Sequence, residues 1–150
     1  ERLEARDLER EHLRWIAKQA CRTLIKRGHP RALKLFGFGK KAEVTATLKA
    51  SPQCLELGER LTLTAVITST SRQPQRLAVD YVIHYVKARG VSAEKVFKWT
   101  EVDLPARGTL ELSKSQVIRD FTTRKHHPGK HRVELQINGQ RVAESMFALK

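Results

Sequence analysis

Residues 121 to 135 read FTTRKHHPGKHRVEL, which gathers cations, imidazoles and hydroxyls around one Pro-Gly turn. Three uses compete for such a stretch. As a zinc site it offers His126, His127 and His131, the last two at a spacing that converges when a helix carries it. Pro128 and Gly129 break any helix there, no Cys or carboxylate stands at ligand spacing, and the adjoining Lys and Arg repel a divalent ion. We therefore expect no metal and no cofactor. As a phosphate grip the segment holds Arg119, Arg124, Lys125, Lys130 and Arg132 against the acid Asp120, with Thr122 and Thr123 as neutral donors and His126 and His127 beside them. As a plain solvated loop it needs no ligand. On the residues alone the last two readings stay open.

A second set of cations lies near the start of the chain. Arg2, Arg6, Arg10, Arg14, Lys18, Arg22 and Lys26 follow one another at steps of four. On a helix each step overshoots a turn by about 40°, so the series spirals around the axis instead of making a flat face. Up to residue 12 the acids Glu1, Glu4, Asp7, Glu9 and Glu11 are interleaved, the pattern of a solvated helix with alternating charge. From 13 to 41 no acid occurs while cations accumulate. Unscreened like charge needs a reason, and phosphate contact by Arg14, Lys18, Arg22, Lys26 and Arg27 supplies one.

Residues that could do covalent or acid-base chemistry do not assemble. Asp80 and His84 in VDYVIHYV share a strand face but stand about 13 Å apart at ~3.3 Å per residue, too far for a dyad. They read as a paired Asp and a satisfied sheet His. Nothing selects a pair among Glu94, Glu101, Asp103 and Glu111, and Ser113 and Ser115 lack a nucleophile-elbow context. GFGK follows a helix rather than opening one and lacks the P-loop spacing. The aromatic residues are few and scattered, which suits a core better than a platform for stacked bases. No catalytic residue is assigned.

The elements that must position these groups fall into two halves. Up to about residue 36 the apolar residues Leu3, Leu8, Leu13, Ile16, Ala17, Ala20, Leu24 and Ile25 make roughly one helical stripe. It ends at RGHP, where Gly28 can close one helix and Pro30 open a short second one, itself closed by Gly37 and Gly39. Such a pair cannot bury both faces alone and reads as the last unit of a helical array, over residues 1–41. From 42 to 150 the period changes to two. EVTATLKA, RLTLTAVITSTS, RLAVDYVIHYVKA, KVFKWTEVDL, TLELSKSQVI, HRVELQI and RVAESMFAL are separated by turn signals, of which Asn138-Gly139 is the strongest. Seven short strands point to a mainly β fold, an immunoglobulin-like antiparallel sandwich without the Cys-Trp-Cys core of antibody domains. GFGKKAE between the halves is too short for a free linker, so we expect the two to touch.

The 150 residues carry a formal charge of +13, which argues for a polyanionic partner. No apolar run approaches the ~18 residues that span a bilayer, so no membrane is expected. The charged start, without an initiator Met, reads as a piece cut from a longer protein and not as a signal peptide. Cys21 and Cys54 lack a CxxC context and suggest free thiols in a reducing, cytoplasmic setting.

WIAKQACRTLIKRGHPRALKLFGFG, residues 15 to 39, resembles the final helical repeat of the AlkC/AlkD-like DNA alkylation repair proteins. PQRLAVDYVIHYVKARG, KVFKW and TTRKHHPGKHRVELQINGQ resemble the Ig-like domain that the AlkC branch carries after its repeats. The resemblance implies a terminal HEAT-like repeat followed by a sandwich, in a DNA N-glycosylase whose catalytic carboxylates lie upstream of residue 1. It implies double-stranded DNA as the partner, held through its phosphates, and it tips the 119–132 cluster toward DNA contact; we expect the chain to act as a monomer. The alternative from another class is an interaction module that binds an acidic protein.

Overall fold

The structure is a computed structural model that describes residues 2–38, 41–87, 92–119 and 127–150. Of the positions named above, Glu1, Gly39, Asp120, Thr122, Thr123, Arg124, Lys125 and His126 lie outside the described residues.

Three helices open the chain: α1 over Arg2–Ala20, α2 over Arg22–Lys26 and α3 over Pro30–Leu35. Strong helix formers (Leu, Ala, Arg, Glu, Lys) dominate α1. Cys21 interrupts the helix for one residue, although its N–H still reaches the Ala17 carbonyl at 2.9 Å and its carbonyl accepts from Ile25 at 3.0 Å. α2 ends in a Schellman closure. Gly28 adopts φ +72°, its N–H donates to Ile25 O at 3.0 Å, and the His29 N–H donates to Leu24 O at 2.9 Å. α3 opens on Pro30, whose missing N–H costs nothing in a first turn, and ends on Gly37 by the same device, with Phe38 N–H on Leu33 O at 2.8 Å.

Eight strands follow: β1 Val44–Ser51, β2 Cys54–Leu55, β3 Arg60–Ser69, β4 Gln75–Val86, β5 Ser92–Leu104, β6 Thr109–Val117, β7 Gly129–Ile137 and β8 Gln140–Leu149. Seven match the alternating runs of the sequence. The eighth, β2, is two residues long and pairs parallel to β8, too short to leave a periodic trace. The strands form a three-stranded sheet, β1-β3-β6, and a five-stranded sheet, β2-β8-β7-β4-β5. The fold is thus the mainly β, Ig-like sandwich that the sequence predicts. No helix is long and apolar enough to cross a membrane, among the described residues.

Alternation places Leu61, Leu63, Ala65 and Ile67 of β3 opposite Leu77, Val79, Tyr81 and Ile83 of β4 and Val133, Leu135 and Ile137 of β7. Aromatic contacts take the place of the antibody disulfide. Tyr81 stacks on Phe97 with centroids 5.0 Å apart and meets Trp99 edge-on, and its hydroxyl donates to Gln116 Oε1 of the facing sheet at 2.7 Å. Both cysteines are free. His131 points inward like Val133, is fully buried and stacks on Phe147 at 5.1 Å, so this imidazole belongs to the core and not to the loop cluster.

The helices cover part of the outer face of the five-stranded sheet. Ile25, Ala32, Leu33, Phe36 and Phe38 form a small core with Ala78 of β4. This explains why β4, also interior to its sheet, is apolar on both faces. By contrast the stripe along α1 faces outward: Leu8, Leu13, Trp15 and Ile16 are 45–67% exposed. Trp15 is on this open face, an exception to the core placement expected of the aromatic residues in general.

Candidate nucleic-acid interface

The seam between helices and sheet is built from backbone contact and buried polar groups. The Asn-Gly turn of the β7–β8 hairpin has φ +48° at Asn138 and +79° at Gly139, the pair of left-handed residues a type I′ turn requires. Gly139 packs against Gly28 so closely that a Cβ on Gly139 would lie 2.1 Å from Gly28 Cα. Asn138 Oδ1 accepts from the Ala78 N–H at 2.8 Å, which fixes the turn against β4. Gln136 of β7 then ties helix to sheet. Its Nε2 donates to the Lys26 carbonyl at 2.7 Å, a helix-end acceptor otherwise without a partner in its own helix, and to Asp80 Oδ2 at 3.3 Å. Its Oε1 accepts from Arg141 Nε at 2.8 Å.

Charge on this face is organised around three carboxylates. Glu101 binds Lys18 of α1 and Lys98, the latter at 3.2 Å, with Arg76 at 3.7 Å. Burial pushes Glu101 up, but the hydrogen bonds from Lys18 and Lys98 hold it below the usual carboxylate range. Glu134 is buried and binds Arg141 at 2.6 Å and Arg132 at 3.2 Å, while His84 Nε2 lies 3.3 Å away off the hydrogen-bond axis. Burial again opposes its charge, and Arg141 above all keeps it below the usual range. Asp80 has no ion pair among the described residues, although Lys26, Arg22 and Lys98 attract it from farther off. Burial pushes it up to about 6, against the smaller opposing effects of Gln136, Lys26, Arg22 and Lys98.

That shift has a measurable consequence. The folded state holds the Asp80 proton more tightly than the unfolded chain, whose value is near 3.8. The associated stability is present below pH 3.8 and is lost as pH rises through about 6. Asp80→Asn keeps the acceptor for Gln136 and removes the charge, so the variant gains on wild type by about 2 kcal/mol between pH 4.5 and 7.5. Urea unfolding at both pH values measures this. Equal differences at the two pH values would show that burial does not hold the carboxyl up.

The predicted phosphate contacts divide accordingly. Arg14 and Arg27 are exposed, Arg22 and Lys26 half-buried, and none of the four forms an ion pair among the described residues. Lys18 is engaged by Glu101 and Arg132 by Glu134, partners far apart in sequence or buried, which the charge pattern alone does not show. In the second cluster Lys130 is exposed at the start of β7, Arg119 is exposed and His127 half-buried. The four carboxylates considered for catalysis do not converge into a pair: Glu94 binds Arg141 at 2.6 Å, Glu101 binds cations, and Asp103 and Glu111 lie opposite Arg76 and Val66. Asp80 and His84 meet Gln136 and Glu134 rather than each other.

An open cleft of about 640 Å³ lies between α2 and the sheet, lined by Thr23, Lys26 and Arg27 on one side and by Glu94, Lys95, Val96, Gln136 and Arg141 on the other. Lys95 and Thr23 were not among the expected contacts. Nothing in the linear sequence brings a residue of β5 beside one of α2.

Comparison with known proteins places the fold. The solved structure of Pseudomonas fluorescens alkylpurine DNA glycosylase AlkC, bound to DNA containing an abasic site analog, matches 95% of this chain and 40% of its own at a TM-score of 0.90 and 45% identity. The match therefore takes in helices as well as sandwich. A β-glucosidase from Listeria innocua matches 76% of the chain at a TM-score of 0.58 and 20% identity, a likeness of fold alone. YhaZ of Bacillus subtilis (strain 168) is 38% identical over 130 residues, 86% of this chain and 36% of its own. The chain thus spans well under half the length of the relatives it matches. The model of the family described as "Uncharacterised protein YhaZ, C-terminal Ig-like domain" matches residues 44–150, and with most of the chain so covered, the protein belongs to that family.

Proposed function

We propose that this chain is the DNA-binding C-terminal portion of a DNA alkylation repair glycosylase, gripping the duplex backbone while helical repeats upstream of it excise the alkylated base. The observation that carries the reading is the 45% identity, over helices and sandwich together, to a glycosylase whose structure holds DNA. In this reading residues 1–41 are the terminal HEAT-like repeat and 42–150 the sandwich. The open apolar face of α1, with Leu8, Leu13, Trp15 and Ile16, is covered by the preceding helical pair of the array.

Arg14, Arg22, Lys26 and Arg27 form the helical part of the grip, and the 119–132 segment a second clamp, with Arg119, Thr122, Thr123, Arg124, Lys125, His126, His127 and Lys130. Lys18 and Arg132 support the grip from their ion pairs. Contacts of this kind position a protein without reading sequence, which suits a search for lesions. The acidic-protein alternative makes a different prediction in competition. With labelled duplex bound, unlabelled duplex displaces it, whereas polyglutamate of matched charge needs at least roughly tenfold more, since it lacks the duplex's charge density. Equal displacement by polyglutamate, or no duplex binding, contradicts the reading.

A further inference from the structure

We propose that the cleft between α2 and the sheet is a phosphate-binding site made by Thr23, Lys26, Arg27 and Lys95, and that it seats one phosphodiester of the bound duplex. The second half of this proposal rests on the function proposed above; the first does not.

The cleft's volume of about 640 Å³ admits a ligand, and its wall excludes an apolar one, since Val96 is its single large apolar side chain. Its charge is unbalanced. Arg141 and Glu94 satisfy each other at 2.6 Å, and Arg141 is further engaged by Glu134 and Gln136. Lys26, Arg27 and Lys95 remain, from two different elements, and none has an ion pair among the described residues. Lys26 is held below the usual lysine range, by its partial burial first and then by repulsion from Arg22 and Lys95, against attraction to Asp80. Cations crowded in this way repel one another until an anion enters. Thr23 adds a hydroxyl that can donate to a phosphate oxygen.

The site is also pre-formed in part. On the helix side Gln136 holds the Lys26 carbonyl and Gly28, next to Arg27, is locked against Gly139. On the sheet side Lys95 rests 5.1 Å from the Phe97 ring centroid on the edge strand β5, from which an entering anion would draw it. Donors on two sides of one cleft suit a group with several anionic oxygens. Because the cations come from helix and sheet, one bound phosphate would touch both halves of the protein.

The test uses Lys95→Gln, Arg27→Gln and the double variant, each checked for an unchanged urea midpoint. Anisotropy with labelled duplex at low salt is expected to show roughly tenfold weaker binding for each single variant, on the order of one lost phosphate contact, and a double variant little weaker than either. Lys49→Gln, on β1 of the other sheet, is expected to bind as wild type. In a second arm, inorganic phosphate is titrated while the amide shifts of Thr23 and Lys95 are followed, and the double variant abolishes the response. If wild type binds duplex and both single variants match it in affinity and salt slope, the proposal is overturned. If wild type ignores duplex but inorganic phosphate moves these amides in wild type alone, the phosphate site stands with a free phosphate as its ligand and the DNA reading falls. If neither ligand moves them, the site is refuted.

Discussion

Gly139→Ala is expected to destabilise the protein by on the order of 4 kcal/mol, combining left-handed strain with a backbone collision. The new Cβ would lie 2.1 Å from Gly28 Cα, a distance no rotamer can relieve because both partners are main chain. The hairpin must move or the helices must lift from the sheet, and either breaks the Gln136 bond to Lys26 O. Gly58→Ala is the control. Its φ of +95° is as unfavourable for alanine, but nothing lies within 4 Å of its Cβ, so strain alone should cost about 1 kcal/mol. Urea unfolding gives both values. Hydrogen exchange adds the location: in Gly139→Ala, amides of α2 and α3 lose protection ahead of the sandwich. A Gly139→Ala variant no less stable than Gly58→Ala would mean that the close approach does not hold the helices in place.

Arg141→Met carries the second large effect, about 3 kcal/mol of lost stability. The side chain donates to Glu134, Glu94 and Gln136 at once, and Glu134 is buried. Removing the guanidinium leaves that carboxylate with Arg132, whose own side chain is half exposed, and with His84 in poor geometry. Most of the cost is the unpaired buried charge, not the worth of the ion pair. The partly open position of Arg141 keeps the figure at the low end for a buried pair. Pairing the change with Glu134→Gln should therefore recover about 2 kcal/mol, a coupling that a double-mutant cycle reads directly. Additive losses would show that Glu134 does not depend on Arg141. The sign with pH is opposite to that of Asp80: Glu134 is held below its usual range, so its contribution is present at neutral pH and is lost as the solution is acidified through its folded value.

Much of the fold is legible in the sequence because the sandwich is written in a period of two. Leu61, Leu63, Ala65 and Ile67 alternate with polar partners, and Asn138-Gly139 marks its hairpin in chemistry that few other pairs tolerate. Gly28 and Gly37 likewise announce the helix ends they close. His131 was legible too, since it keeps step with Val133, Leu135 and Ile137, but its neighbours in the loop made it look like part of a charged cluster. The candidate site was less visible. A run of cations shows that an anion is wanted without showing which cations are already matched, and Lys18 finds its match in Glu101, 83 residues away. The cleft depends on α2 docking over β5 and β7, a tertiary event whose trace in the sequence is the doubly apolar β4 that lies beneath the helices. Trp15 misled in the other direction: a lone aromatic in a helix is a good core residue only when something covers that face.

The central claim is that the chain holds duplex DNA by its phosphates, and the dependence of duplex affinity on salt tests it most directly. Wild type should show log affinity falling linearly with log salt, at roughly 0.9 per phosphate contacted. Replacing Arg124, Lys125 and Lys130 by alanine should make the slope shallower by up to roughly 0.9 for each contact removed. A slope unchanged by these three substitutions would take the 119–132 segment out of the grip and leave the helices and the cleft as its only parts. Duplex binding that is absent, or indifferent to salt, would contradict the account as a whole.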